Sequence, residues 1–275
     1  MQKQVPSAIG KAARLNRILN NGKAVIFAFD HGFEHGPSDF QPDRADARVI
    51  IRMAVEAGVD AIMMNKGIAE ATWDLWAGKV PFIMKVTGKT SMRPPELQLL
   101  QYRTGSVRDA LAMGADGVAG TVYWGAPREE EMAGALSGII SECDFTGLPS
   151  MILAYPRGPS IKNHNDPEVV RYATRASAEL GADLIKTHYT GSTETFREVV
   201  RVSPVPVLMS GGTREDVALE FLEVVKSVMD AGGAGVVVGR NIFQSPNPVL
   251  FGKALRAIVH EGASPEKAAE LLGQV

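Results

Sequence analysis

The stretch Leu180-Gly181-Ala182-Asp183-Leu184-Ile185-Lys186-Thr187-His188 decides the fold. Leucine closes a helical pattern, glycine supplies the left-handed residue that ends a helix, and a short β-rich run follows at once. Related junctions recur at Ala57-Gly58-Val59-Asp60-Ala61, Met113-Gly114-Ala115-Asp116-Gly117 and Ala231-Gly232-Gly233-Ala234-Gly235. A helix-to-strand junction used repeatedly is a weak internal repeat of β/α units.

Working outward, β-rich runs occupy residues 24–29, 61–64, 82–86, 117–122, 151–155, 184–188, 205–209 and 235–238. Most are near-continuous apolar runs, which suits parallel strands buried on both faces. Helix-period segments lie between them at 43–57, 129–142, 167–180 and 215–231. The expected fold class is α/β: a single (β/α)8 TIM barrel over residues 1–275. An N-terminal helix over 11–20 precedes the first strand, and extra C-terminal helices over 248–260 and 265–272 follow the last. A doubly wound open sheet would ordinarily carry G-x-G-x-x-G after its first strand. Here that turn reads Asp30-His31-Gly32-Phe33-Glu34-His35-Gly36-Pro37, which lacks the spacing.

Composition narrows the partners. Among 275 residues, 29 basic and 31 acidic side chains give a formal charge of -2. That balance gives no reason to expect nucleic acid or an anionic membrane as a partner. No apolar run is long enough to cross a bilayer, and the first residues lack the apolar core of a signal peptide. The single cysteine, Cys143, allows no disulfide within the chain, so a cytoplasmic location is expected.

Barrels carry their active sites at the C-terminal ends of the strands. Ser210-Gly211-Gly212 ends the seventh run and Gly239-Arg240 the eighth, where barrels often bind phosphate. Glycines let the ligand approach backbone N–H groups, a helix N-terminus adds its dipole, and Arg240 adds a charge-assisted bond. Lys85 and Lys186 each sit within an apolar run. Burial should lower their pKa, and a neutral amine attacks a carbonyl to form a Schiff base. The plain alternative is a lining lysine paired with an acid such as Asp30, and the residues alone do not choose between the two lysines. Asp30 ends a buried strand, as a general base or an ion-pair partner. Tyr155 is a candidate proton donor. His31, Glu34 and His35 share a loop, but there is no H-E-x-x-H pattern and a zinc set would need a third ligand from elsewhere, so no metal is assigned. Tyr123-Trp124 reads as packing or rim.

The runs FAFDHGFEHGPSDF (27–40), AYPRG (154–158), GADLIKTHYTG (181–191), VPVLMSGG (205–212) and GVVVGRNIFQ (235–244) occur in this order. Together they resemble the archaeal-type class I fructose-1,6-bisphosphate aldolases, from about residue 18 to 258. The resemblance implies reversible cleavage of fructose 1,6-bisphosphate to dihydroxyacetone phosphate and glyceraldehyde 3-phosphate, with no metal or other cofactor. It implies Lys186 as the Schiff-base lysine, Asp30 as the D-H-G aspartate and Tyr155 as the proton-transferring tyrosine. It places phosphate at Ser210, Gly211, Gly212, Gly239 and Arg240, and sets Arg157 and the His31–His35 segment toward the other end of the bisphosphate. A homo-oligomer is expected.

One departure is Leu153, where some such aldolases carry tryptophan. The related 2-amino-3,7-dideoxy-D-threo-hept-6-ulosonate synthases share several motifs, but the Glu34–Phe40 continuation favours the aldolase. Two readings of another class are a flavin-dependent oxidoreductase barrel, which would leave Lys186 and Tyr155 without shared work, and a non-catalytic binder of a phosphorylated ligand.

Overall fold

Each helix-to-strand junction delivers a strand to one closed parallel barrel. The computed structural model describes residues 6–212 and 217–273. The barrel strands are β1 (Ala24–Phe29), β2 (Ala61–Asn65), β3 (Phe82–Lys85), β4 (Gly117–Trp124), β5 (Ser150–Pro156), β6 (Leu184–Thr187), β7 (Val207–Ser210) and β8 (Gly235–Val238). Each pairs in parallel with its neighbours in sequence, and β8 closes onto β1, with Ile26 opposite Val237. The junction glycines cap as expected; Gly58 (φ 73°) and Gly181 (φ 107°) are left-handed. β7 starts two residues later than the sequence pattern suggests, after Pro206, which has no N–H to give a ladder.

The junction aspartates do something the pattern did not disclose. Asp60 accepts a hydrogen bond from the Val25 N–H (2.7 Å), Asp116 from Phe82 (3.2 Å) and Asp183 from Ser150 (2.8 Å). Each carboxylate thus satisfies an amide at the start of the preceding strand, the first for Asp116 and Asp183 and the second for Asp60. The N-terminal helix, Pro6–Ile18, closes this end of the barrel. Its Ile18 is fully buried in the barrel interior, and Lys11 pairs with Asp183 at 2.7 Å. This helix begins earlier and ends earlier than expected, because Asn20 leaves it to bridge Lys23.

Strand side chains alternate between two cores. Val25 and Phe27 face outward, against Ile50, Ala54 and Leu255 of the helical layer. Ala24, Ile26 and Ala28 face inward, with Met63, Ile83, Met151, Leu153, Leu184, Leu208 and Val237. The same parity continues at the upper strand ends and directs Asp30, Lys85, Tyr155, Lys186 and Ser210 into the barrel.

Several helices differ from the sequence reading. The segment expected from 43 splits into a 3-10 turn, Pro42–Arg44, and a helix, Ala47–Ala57, because Asp46 takes the N-cap and accepts from the Arg48 N–H. The expected helix opening at Glu215 lies outside the described residues, as do both ends of the 1–275 domain; the described helix runs Ala218–Asp230. Helices Lys66–Trp76, Val107–Ala112 and Thr193–Arg201 were not legible as patterns. The last two begin at Ser106 and Ser192 caps, and the first follows Asn65 with no break. Between β3 and Val107, a long excursion pairs Thr87–Gly88 with Tyr102–Arg103 and lies beside the mouth of the barrel.

Candidate active site

One cavity at the C-terminal end of the barrel gathers the site residues expected from the sequence, Lys85 excepted. Asp30, His31, His35, Tyr155, Arg157, Lys186, Ser210, Gly211, Gly212, Gly239 and Arg240 line it. Glu34, Thr121, Tyr123 and His188 line it too, and sequence reasoning gave none of them a role there.

The two lysines separate cleanly. Lys85 is fully buried with Nζ 3.3 Å from Asp30 Oδ2 and 3.6 Å from Glu34 Oε1. Burial works against its ammonium, but the two carboxylates outweigh that and hold the pKa above its ordinary value. The expectation of a lowered pKa at Lys85 is therefore corrected: it is a committed cation. Lys186 reaches the same cavity from β6, is 6% exposed, and has no hydrogen bond or ion pair among the described residues. Burial also opposes ionisation of Asp30, yet Lys85, then His31 and Lys186, hold its carboxyl well below the usual range.

His31 and His35 lie on a short helix, His31–His35, instead of a loop. His31 packs edge-on against Phe243 (5.3 Å) and faces Gly239. It therefore stands on the Gly239 side of the cavity. Burial lowers its pKa to about 4 despite the Asp30 carboxylate 3.7 Å away. His35 Nδ1 meets Asp39 Oδ2 at 2.7 Å. Among the described residues no three His, Cys, Asp or Glu side chains gather to hold a metal ion.

The glycine turns are sterically enforced. A Cβ on Gly239 would stand 2.5 Å from the Ala28 carbonyl oxygen and 2.3 Å from His31 Cε1. Gly212 is left-handed at φ 65°, and its carbonyl accepts from Arg240 at 3.0 Å. The helix after Gly239 is only Arg240–Phe243, so its dipole adds little; backbone N–H groups and the guanidinium are what this corner offers an anion. Arg44 braces the turn by donating to the carbonyls of Phe243 (3.1 Å), Ser245 and Pro246 (3.3 Å).

Across the cavity, Tyr155 Oη lies 3.3 Å from Ser210 Oγ. His188 stacks on the Tyr155 ring at 4.7 Å, and burial lowers its pKa to about 3. The Arg157 guanidinium lies over the rings of both Tyr155 (5.1 Å) and Tyr123 (5.4 Å). The Tyr123-Trp124 pair divides by strand parity. Tyr123 faces the cavity, whereas Trp124 turns outward and donates to Ser177 Oγ at 2.9 Å. Reading the pair as packing holds for both, since Tyr123 is buried within the core, but Tyr123 lines the cavity as well. Strict alternation along β4 would have shown this.

A buried lysine free of partners, set beside glycine turns at the top of a barrel, is the arrangement of a carbonyl-binding enzyme. Residues 24–245 match the family model described as DeoC/LacD family aldolase. The chain belongs to the DeoC/LacD aldolases. It is 41% identical over 251 residues to the fructose-bisphosphate aldolase class 1 of Thermoproteus tenax, covering 90% of this chain and 94% of that one. It is 36% identical over 266 residues to the 2-amino-3,7-dideoxy-D-threo-hept-6-ulosonate synthase of Halobacterium salinarum, covering 97% of each. Among solved structures, a Schiff base forming fructose-1,6-bisphosphate aldolase superposes with a TM-score of 0.85 at 40% identity, over 90% of this chain and 99% of that one.

Proposed function

We propose that this DeoC/LacD aldolase is a class I fructose-bisphosphate aldolase that forms its Schiff base on Lys186. The observation that carries this reading is the contrast between the lysines. Lys85 is spent on Asp30 and Glu34, and Lys186 alone offers the cavity an unpaired amine.

In this reading the neutral Lys186 amine attacks the C2 ketone, water leaves, and a protonated imine forms. The C3–C4 bond then breaks, and its electron pair enters the enamine while C4 becomes the aldehyde carbon. The proton lost by the C4 hydroxyl and the one gained by C3 balance, so one shuttle suffices. Tyr155 is the group placed for it. Asp30 is held so firmly ionised that it is a poor proton sink. It serves better by accepting a hydrogen bond from a substrate hydroxyl and opposing the iminium charge. Hydrolysis of the imine returns the amine. The Ser210–Gly212 and Gly239–Arg240 corner holds one phosphate and thereby aligns C2 with Lys186.

The test is steady-state kinetics with fructose 1,6-bisphosphate beside the heptulosonate synthase substrates. The reading predicts cleavage of the bisphosphate as the preferred reaction; preference for the synthase substrates would transfer the assignment. No helix among the described residues is long and apolar enough to cross a membrane. A phosphorylated-sugar substrate suits a cytoplasmic enzyme. The exposed Trp73, Phe145 and Tyr172 supply apolar surface for self-association, which light scattering would measure as a homo-oligomer.

A further inference from the structure

Tyr123 is 1% exposed, yet it lines the cavity from the inward face of β4. Its hydroxyl ends a buried polar chain. Lys85 Nζ is 3.6 Å from Glu34 Oε1, Glu34 Oε1 accepts from Gln101 Nε2 at 3.0 Å, and the same nitrogen donates to Tyr123 Oη at 2.8 Å. The orientation of the Gln101 amide follows from chemistry. A carboxylate only accepts, so the NH2 group must face Glu34, and that group then has one further hydrogen for Tyr123. Tyr123 oxygen is therefore an acceptor inside the protein, and its own proton has no acceptor among the described residues. Thr121, two residues earlier on the same face, also lines the cavity with a buried hydroxyl that has no partner. Buried polar groups without partners are uncommon and call for an explanation.

The barrel order fixes which part of a ligand would meet them. β4 lies diametrically opposite β8 in the closed sheet. A substrate with one phosphate on the Gly239–Arg240 corner and its carbonyl at Lys186 extends across the cavity toward β4. The Arg157 guanidinium, over the Tyr123 ring, stands at that same far wall.

We infer that Tyr123 is a specificity-determining residue whose hydroxyl donates a hydrogen bond to an oxygen of the aldehyde-derived half of the substrate, remote from the imine carbon. The inference rests on the aldolase reading and deepens it. Gln101 is then a positioning residue, which holds the Tyr123 oxygen as acceptor so that its proton points to the ligand.

The test compares two reactions of the same protein. One is solvent exchange of the C3 proton of dihydroxyacetone phosphate, which needs only the imine-side half. The other is condensation of that compound with glyceraldehyde 3-phosphate. Tyr123→Phe is expected to exchange within about twofold of wild type and to lose roughly tenfold in kcat/KM for condensation, mostly through KM for the aldehyde, as befits one neutral hydrogen bond. Unchanged condensation would overturn the inference, and so would an equal loss in both reactions. If Tyr123→Phe does not fold, Gln101→Ala is read in the same way, with the same split expected at smaller size and its absence contradicting the inference. Wild-type protein that neither exchanges nor condenses would instead overturn the aldolase reading.

Discussion

Lys85 Nζ lies 3.3 Å from Asp30 Oδ2, and both groups are buried at the top of the barrel. Removing one member of such a pair strands the other. Lys85→Met leaves Asp30 a buried carboxylate without its ion-pair partner, takes a cation from the half-buried Glu34, and is expected to cost about 3–5 kcal/mol of stability. Lys186→Met strands no paired carboxylate and should cost distinctly less. Urea unfolding of both variants checks this; equal losses would contradict the assignment of Lys85 as the ion-paired lysine and Lys186 as the unpaired one.

His31, half-buried, and His188, buried, are held neutral, with pKa values lowered to about 4 and about 3. An unfolded histidine titrates near 6.5. Between those values the unfolded chain binds more protons than the folded one, so folded stability is fully present above about pH 6.5 and falls as pH drops toward 4. The slope is up to about 1.4 kcal/mol per pH unit for each histidine. The urea midpoint measured from pH 7 to pH 4 should fall accordingly, and His188→Phe should flatten part of the fall. A midpoint independent of pH in this window contradicts the neutral assignment.

Gly239 is enforced by a backbone oxygen, which cannot rotate aside. Gly239→Ala pushes a methyl against the Ala28 carbonyl and the His31 ring. Such overpacking costs about 1–3 kcal/mol. It should also displace the phosphate corner, raising KM for the bisphosphate at least roughly tenfold, the equivalent of 1.4 kcal/mol of binding. Steady-state kinetics decide it; an unchanged KM would mean that phosphate does not use this turn.

Ile18 closes the opposite end of the barrel and touches none of the catalytic groups. Ile18→Ala should lower stability by about 2–5 kcal/mol through the cavity it leaves. The kcat/KM per folded molecule should stay at the wild-type value. Thermal melts together with assays below the melting range separate the two effects. Loss of specific activity in folded protein would show that this plug is coupled to the site.

Much of this was readable from sequence, and the limits have physical causes. The Gly-Ala-Asp junctions and apolar runs carried the barrel, because helix ends and doubly buried strands are set by local chemistry. That the glycine turns of two adjacent strand ends meet at one cavity was readable from the glycines themselves. The choice between Lys85 and Lys186 came only from the resemblance and not from the residue pattern, since both occupy apolar runs and differ only in partners brought from β1 and its following helix. Tyr123 was legible only as packing, because its place at the cavity depends on the face of β4 it occupies and its contact with Gln101 comes from an irregular segment with no period. The packing of His31 on Phe243 and Gly239 was not legible, because it is a tertiary contact. The bonds from Asp60, Asp116 and Asp183 to strand amides were not legible, because they are contacts between units and not within one.

The most direct test of the account is borohydride trapping of the purified protein with dihydroxyacetone phosphate, followed by peptide mass mapping. The account predicts a reduced adduct on Lys186 that is absent in Lys186→Ala. An adduct on Lys85, or none with ligand bound, would contradict it.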